Sequence, residues 1–424
     1  MKTHMGYLKL GVIGDFFPHV LRSANVTTGI AILLGENDLV QKVVVYGPEG
    51  TEVPYGLLCK SPTKVSVVRS WKLNSPLSLL RLEWRLLRNS RRLDGFVFNT
   101  IVRTYGNNPI SNGLGLLLPT ILAWISRKPV LVYSHSMLDT QNNAALGFVV
   151  SRPIRFVVRT LESLMLANCN VVVRLRIQSL RLQKVNGVEL PFDPLPFVDA
   201  VSSFNVGVPR ERGEVKQEGG VSVLVFGIGG PHKDLEIVAK AVDKLQREGL
   251  DVALTLAGGV ARSTETRPSN PLLGTVSHRS NAGQSLTFDS IPTEHGDESS
   301  VNFVPIVEEK DVAALFRAAN VVVLPYLAAG GFSSVMCLAA FYGTKIVAFD
   351  LPEFRETASA LKCVVDWISP GDMAGLAAAI ARSSSQSANR TELRSRHELE
   401  NLSVANLAVT SLINYLRQGD SKES

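Results

Sequence analysis

Short, mainly apolar runs alternate with helix-length segments along most of this chain, and few folds accept that rhythm. In the first half the runs are Leu8–Ile13, Lys42–Tyr46, Lys64–Arg69, Phe96–Phe98, Pro129–Tyr133 and Asn170–Val173. Helical patterns fall between them, from about Gly29, over Pro76–Asn89, Pro109–Ser126 and Pro153–Ala167. A strand that is apolar on both faces must be covered on both faces, so strands alternating with helices predict a doubly wound parallel sheet. The rhythm breaks over Pro191–Arg212, which is rich in proline and charge and reads as a linker region, and restarts at Val221–Phe226. A glycine turn Gly227–Pro231 follows, then a helix from Lys233 to about Glu248 and a strand Val252–Ala257. Arg262–Ser300 is polar and aperiodic and reads as a long insertion. Val301–Val304, Val321–Pro325 and Lys345–Asp350 complete the second set of strands, and a helix at about Val404–Leu416 precedes a charged tail.

The expected organisation is therefore two α/β domains in tandem, as 424 residues also suggest. Their spans are 1–200 and 221–400, with a linker at 201–220 and a terminal helix and tail at 401–424 that return toward the first domain. Ligands of such folds sit at the carboxyl ends of the strands.

Composition narrows the class. At 45% hydrophobic and 19% charged residues, both halves can bury a core. None of the four cysteines, Cys59, Cys169, Cys337 and Cys363, lies in a Cys-x-x-Cys pair, and each has apolar neighbours, which predicts reduced, buried thiols in a cytoplasmic chain. The seven histidines show no metal-ligand spacing. Leu8–Ile13 ends at once in Gly14-Asp15, unlike a signal peptide, and the longest apolar run, Leu114–Ile125, carries Pro119 and is short for a bilayer span, so it reads as a core helix. The net charge of +6 divides unevenly, with +11 over residues 1–200 and −5 over the remainder. A nucleic-acid module would set aromatic residues among its basic ones, and only Trp71 and Trp84 come near that.

Two glycine-rich turns carry the chemistry. Gly227-Ile228-Gly229-Gly230-Pro231-His232-Lys233 joins a strand to a helix, where backbone can approach a phosphate and Lys233 adds a point charge. It is not a Walker loop, because no Gly-Lys-Ser/Thr follows. Ala328-Ala329-Gly330-Gly331-Phe332-Ser333-Ser334 repeats the design ahead of an apolar helix, Val335–Phe341, which directs two hydroxyls and free amides into a cleft. Ordinary N-capping by Ser333 or Ser334 is the plainer alternative.

Val304-Pro305, Glu308-Glu309, Phe316-Arg317-Ala318-Ala319-Asn320, Val321–Pro325, Gly330–Ser334, Gly343, Ile346–Asp350 and Pro352-Glu353 follow one another in the order seen in the donor half of family 4 glycosyltransferases. Gly14–Gly29 resembles the acceptor-side loop of that family, and Val130–His135 the strand that carries its active-site histidine. The resemblance implies the GT-B fold: two Rossmann-like doubly wound domains facing across a cleft. It implies that Lys233, with Gly229 and Gly230, meets the donor diphosphate. Gly331, Ser333, Ser334 and Glu353 would hold the nucleotide-sugar, and His135 would touch the transferred sugar as the catalytic residue. Asp15 and His19 fall on the acceptor side. The family's Glu-x7-Glu pair would land on Gly330 and Leu338, and its arginine on Ile228, so those three side chains are absent.

The expected function is transfer of a sugar from a nucleotide-sugar to a sugar or lipid-linked acceptor, with retention, without a metal and without a cofactor beyond the nucleotide-sugar substrate. A non-catalytic nucleotide-sugar-binding subunit and a sugar-nucleotide epimerase stay open as alternatives. Arg81, Arg85, Arg88 and Arg92 recur at helical spacing among leucines and Trp84, and Arg152, Arg155 and Arg159 form a second stripe. Such helices suit the anionic inner face of a membrane, and a solvated arginine face is the alternative.

Overall fold

The computed structural model describes residues 7–15, 23–50, 63–100, 105, 109–135, 137, 138, 140, 151–201, 220–227, 232–258, 301–304, 307, 309–383 and 390–419. Two six-stranded sheets, all their pairings parallel, form its frame. The first is built from β1 (Leu8–Ile13), β2 (Val40–Pro48), β3 (Val65–Trp71), β4 (Gly95–Thr100), β5 (Val130–Ser134) and β6 (Asn170–Val173), in the order β3-β2-β1-β4-β5-β6. The second contains β7 (Val221–Phe226), β8 (Val252–Ala257), β9 (Val301–Val304), β10 (Val321–Leu324), β11 (Lys345–Phe349) and β12 (Val365–Ile368), in the order β12-β11-β10-β7-β8-β9. Chain direction across each sheet reverses at one place, between β1 and β4 in the first and between β7 and β10 in the second. A doubly wound sheet opens its ligand crevice at that point.

Helices cover both faces as the apolar strands require. In the first domain these are α1 (Ser23–Glu36), α2 (Pro76–Asn89), α3 (Pro109–Ser126), α4 (Arg152–Asn168), α5 (Arg176–Asn186) and the short α6 (Val198–Val201). In the second they are α7 (Leu235–Arg247), α8 (Glu309–Ala318), α9 (Ser334–Phe341), α10 (Pro352–Leu361) and α11 (Met373–Ala381). The 30-residue α12 (Arg390–Gly419) closes the chain. Local chemistry explains the helix starts: Ser75 caps α2 with Pro76 at its first position, and the Asp234 and Asp372 carboxylates accept from Ile237 N and Gly375 N. One apolar core runs unbroken from α1 and α6 through α12 to α8 and α9, so it belongs to both domains, and Phe197 and Phe341 meet across the boundary at 6.0 Å.

Several expected boundaries shift. α1 starts at Ser23 rather than near Gly29, and α7 at Leu235, so Lys233 precedes its helix. The stretch expected as linker from Pro191 instead enters the core: Leu195, Phe197, Val198, Ala200 and Val201 are buried. α12 begins fourteen residues before the expected Val404 and does return to the first domain. Arg317 holds Glu398 at 2.6 and 2.9 Å in the second domain, while Asn170 Nδ2 donates to Tyr415 O at 3.2 Å in the first. α3 is only partly a core helix, because Trp124 and Ile125 are exposed. The expected insertion Arg262–Ser300 lies outside the described residues.

Candidate active site

The two crevices carry the candidate residues. In the second domain, β7 ends at Phe226 and the chain turns at Gly227, whose φ of +89° suits a residue without Cβ. The returning strand end is laced to the loop after β10: Leu327 N donates to His232 O at 2.8 Å and Asp234 N to Pro325 O at 2.8 Å, with a bridge between Lys233 and Tyr326. Lys233 and the glycine-serine loop, which begins 95 residues further along at Ala328, thus share one crevice. Lys233 is 6% exposed; its Nζ donates to Phe226 O at 3.0 Å and lies 4.8 Å from the Tyr326 ring centre. Gly229 and Gly230 lie outside the described residues.

The glycine-serine loop faces the first domain. Gly331 has a φ of +150°, and a Cβ built there would stand 2.9 Å from Gln178 Nε2 and 3.5 Å from His135 O. Ser333 caps α9, its hydroxyl accepting from Met336 N at 3.2 Å. The Ser334 hydroxyl does not point into open cleft as expected; it donates to Asp199 Oδ1 at 2.6 Å. Glu353, 4% exposed, pairs with Arg181 at 2.5 Å, and the Glu356 carboxylate caps α5 by accepting from Arg176 N and from Ile177 N, the latter at 3.0 Å. Both of these carboxylates therefore bind the opposite domain.

In the first domain His135 follows β5 directly. Its Nε2 lies 2.7 Å from Asn99 Oδ1, and Asn99 Nδ2 donates to Thr27 Oγ1 at 2.8 Å. With the amide in that orientation, the imidazole carries its proton on Nε2. The ring stands edge-on to Tyr133, and Gln178 Nε2 donates to the His135 carbonyl at 2.8 Å. Asp15, 1% exposed, stands just beyond β1 on the same rim. Burial raises the Tyr105 phenol, and the charges of Asp15 and Glu83 raise it further. A small cavity lined by Thr100, Tyr105, Asn112, Gly115, Leu116, Pro119 and Met165 lies behind it. His19 lies outside the described residues.

Arg81, Arg85, Arg88 and Arg92 are all exposed, Arg81, Arg85 and Arg88 on α2 and Arg92 just past it, with Arg85 donating to Arg69 O at 2.9 Å. Leu79, Leu82 and Leu86 pack inward, whereas Leu77, Leu80 and Trp84 remain exposed. Among the described residues no group of three His, Cys, Asp or Glu side chains is placed to hold a metal. Cys337 is buried and Cys169 and Cys363 half-buried, all three as free thiols. Sequence reasoning missed Arg174, Gln178, Arg181, Asp199 and Glu356, which hold the two domains together; only their placement in the fold distinguishes them from surface charges.

Residues 221–386, from β7 past α11, match the family model of glycosyl transferases group 1. That match spans the second domain and less than half of the chain. Solved structures extend the likeness over the whole chain. HepE of Anabaena in complex with UDP and glucose is 15% identical, covering 98% of this chain and 99% of its own at a TM-score of 0.55. A sucrose-phosphate synthase of Thermosynechococcus elongatus is 15% identical, covering 98% and 100% at 0.57. A glycosyltransferase of Rickettsia africae is 9% identical, covering 97% and 98% at 0.62. At such identities the structures establish the fold, which is GT-B across both domains. The sequence matches no curated protein. The second domain thus carries the glycosyl transferases group 1 match, and the two domains together share the GT-B fold. Lys233 and the glycine-serine loop stand at the β7/β10 switch point, and His135 and Asp15 at the opposing ends of β5 and β1.

Proposed function

We propose that the enzyme transfers a hexosyl unit from a nucleoside-diphosphate sugar with retention of configuration and without a metal ion. The observation that carries this reading is the lacing of Lys233 to Tyr326, which sets a cation and the start of a glycine-serine loop at one crevice, opposite His135. Departure of a nucleoside diphosphate places negative charge on the phosphate bridge. A preorganised ammonium and the amides opening α9 can stabilise that charge without reorganising. His135, its ring held by Asn99, is suited to hydrogen-bond a hydroxyl of the transferred sugar. HepE is known in complexes with UDP, glucose and UDP-glucose, which supports a UDP-sugar as the first donor to try. The test is a thermal-shift and donor-hydrolysis panel of UDP-glucose, UDP-N-acetylglucosamine and GDP-mannose, each with and without a chelator. One donor should stabilise the protein by mass action and be turned over with chelator present. Lys233→Ala should lose on the order of 2–4 kcal/mol of transition-state stabilisation, a fall of about 30- to 1,000-fold in kcat/KM. Unchanged kinetics would remove Lys233 from the site. Absence of the family's carboxylate pair and engagement of Ser334 by Asp199 favour a second reading, a donor-binding subunit without turnover; stabilisation by a nucleotide-sugar that is never hydrolysed or transferred would establish it.

The acceptor-side domain points to an acceptor at a membrane surface. α2, α3 and α4 pack side by side over one face of the first sheet. They expose Leu77, Leu80 and Trp84, then Trp124 and Ile125, then Phe156 and Val157, each more than half accessible. Arg81, Arg85, Arg88, Arg127, Arg152 and Arg155 are exposed among or beside them, while Glu83 and Glu162, the acids of these three helices, are buried. Aromatic and basic side chains together suit a bilayer with anionic headgroups. Among the described residues no helix is long and apolar enough to cross a membrane, so binding would be peripheral. Sedimentation with phosphatidylglycerol-containing vesicles should retain the protein at low salt. Changing Arg81, Arg85 and Arg88 to glutamate should abolish retention, and Trp84→Ser with Trp124→Ser should weaken the fraction that survives high salt. Equal sedimentation of all forms would refute the surface.

A further inference from the structure

Three positions of the glycine-serine loop touch the first domain, each through a different kind of contact. Gly331 packs against the Gln178 amide and the His135 carbonyl. Phe332 lies beneath the Arg174 guanidinium, whose central carbon is 3.7 Å from the ring centre. Ser334 donates its hydroxyl to Asp199. Arg174 and Asp199 are themselves joined by two bonds, Nη1 to Oδ1 at 3.1 Å and Nη2 to Oδ2 at 2.6 Å, and Arg174 Nη2 also donates to Pro194 O at 2.9 Å. Arg174 is 1% exposed and Asp199 0%. Burial works to raise the Asp199 carboxyl, but the Arg174 charge and the bonds from Arg174 and Ser334 outweigh it and hold the group below its ordinary value, as a carboxylate.

A buried ion pair adds little net stability over a well-packed apolar replacement, whereas it imposes direction on the groups around it. Two of those directions lead to the loop: the guanidinium face takes Phe332, and a carboxylate oxygen takes Ser334. We propose that Arg174 and Asp199 are positioning residues that shape the donor loop, so that the loop holds its nucleotide-binding form only while the acceptor-side domain is seated against it. The proposal rests on the reading of this loop as the donor site. It explains how a loop without the family's carboxylates is kept in one conformation: the constraint comes from the other domain. Donor binding and domain seating are then two sides of one equilibrium, each favouring the other.

The test uses the full-length chain and Ser334→Ala, which removes the tie to the loop and leaves the ion pair intact; Ser334→Thr restores the hydroxyl. Asp199→Asn strands a buried guanidinium and is expected to disrupt folding, so it is not the deciding variant. Hydrogen exchange of the amides of residues 330–337 is read without ligand, and dissociation constants are measured for UDP and for GDP. In Ser334→Ala the loop should exchange about tenfold faster, and the nucleotide that binds the wild type should bind on the order of tenfold more weakly. Its melting temperature should stay near the wild-type value, and Ser334→Thr should recover both quantities. Wild-type exchange and affinity in Ser334→Ala would overturn the positioning role alone. Binding of neither nucleotide by the wild type would overturn the donor reading and the proposal with it.

Discussion

Glu83 is buried on the inner side of α2 with neither carboxylate oxygen hydrogen-bonded. Burial pushes its pKa up from 4.5 to about 8, so the folded protein keeps a proton that the unfolded chain releases. Below about pH 4.5 both states hold the proton and stability is unaffected, and as pH rises toward 8 stability is lost. The loss is on the order of 1 kcal/mol per pH unit across that window. Glu83→Gln keeps the shape without the proton. Urea midpoints of the two proteins should therefore separate between pH 5 and pH 8, with the glutamine form the more resistant at the upper end; parallel profiles would contradict the buried neutral acid. Nothing in the sequence announces this residue. Glu83 sits among four arginines in a pattern that reads as surface, and only the packing of α2 turns it inward. Lys233 and His135 were legible because each follows an apolar strand at a position where such folds bind ligands. Arg174 and Asp199 were not: one reads as a solvated cation after β6, the other as part of a proline-rich linker, and their pairing depends on contact between domains.

At the scale of elements, the strands were legible because burial on both faces leaves a continuous apolar run, and eleven of the twelve fall on or within a few residues of segments read as strands. β12, the exception, is Val365–Ile368, where Asp366 and Trp367 interrupt the run. Helix ends moved more, since tertiary contact decides them. Gly29 illustrates this: it sits inside α1, and a Cβ there would lie 2.1 Å from the Val198 carbonyl oxygen. The close approach of α6 requires the glycine. Gly113 in α3 meets no such obstacle, with its nearest neighbour, Leu161 Cδ1, at 3.8 Å. The two alanine substitutions should therefore differ in sign. Gly113→Ala should gain about 0.5–1 kcal/mol from helix propensity, while Gly29→Ala should lose more than it gains by forcing α1 from α6. Melting temperatures that rise in both variants would refute the contact.

For the whole molecule, α12 is the second connection between the domains. Ala405, Val409, Leu412, Ile413 and Leu416 are buried along it, in the core shared by both domains. Leu412→Ala should cost about 2–5 kcal/mol, and because that core is continuous the two domains should lose stability together. Separate unfolding transitions, only one of them displaced, would show that the domains are energetically independent. The path of the chain has a mechanical consequence. The described chain leaves the first domain after α6 and comes back along α12. A body attached at one point can swing in any direction, but one hung from two points turns most easily about the line through them. The core that the two domains share resists even that turning, since any swing would pull packed side chains apart on both sides of the joint.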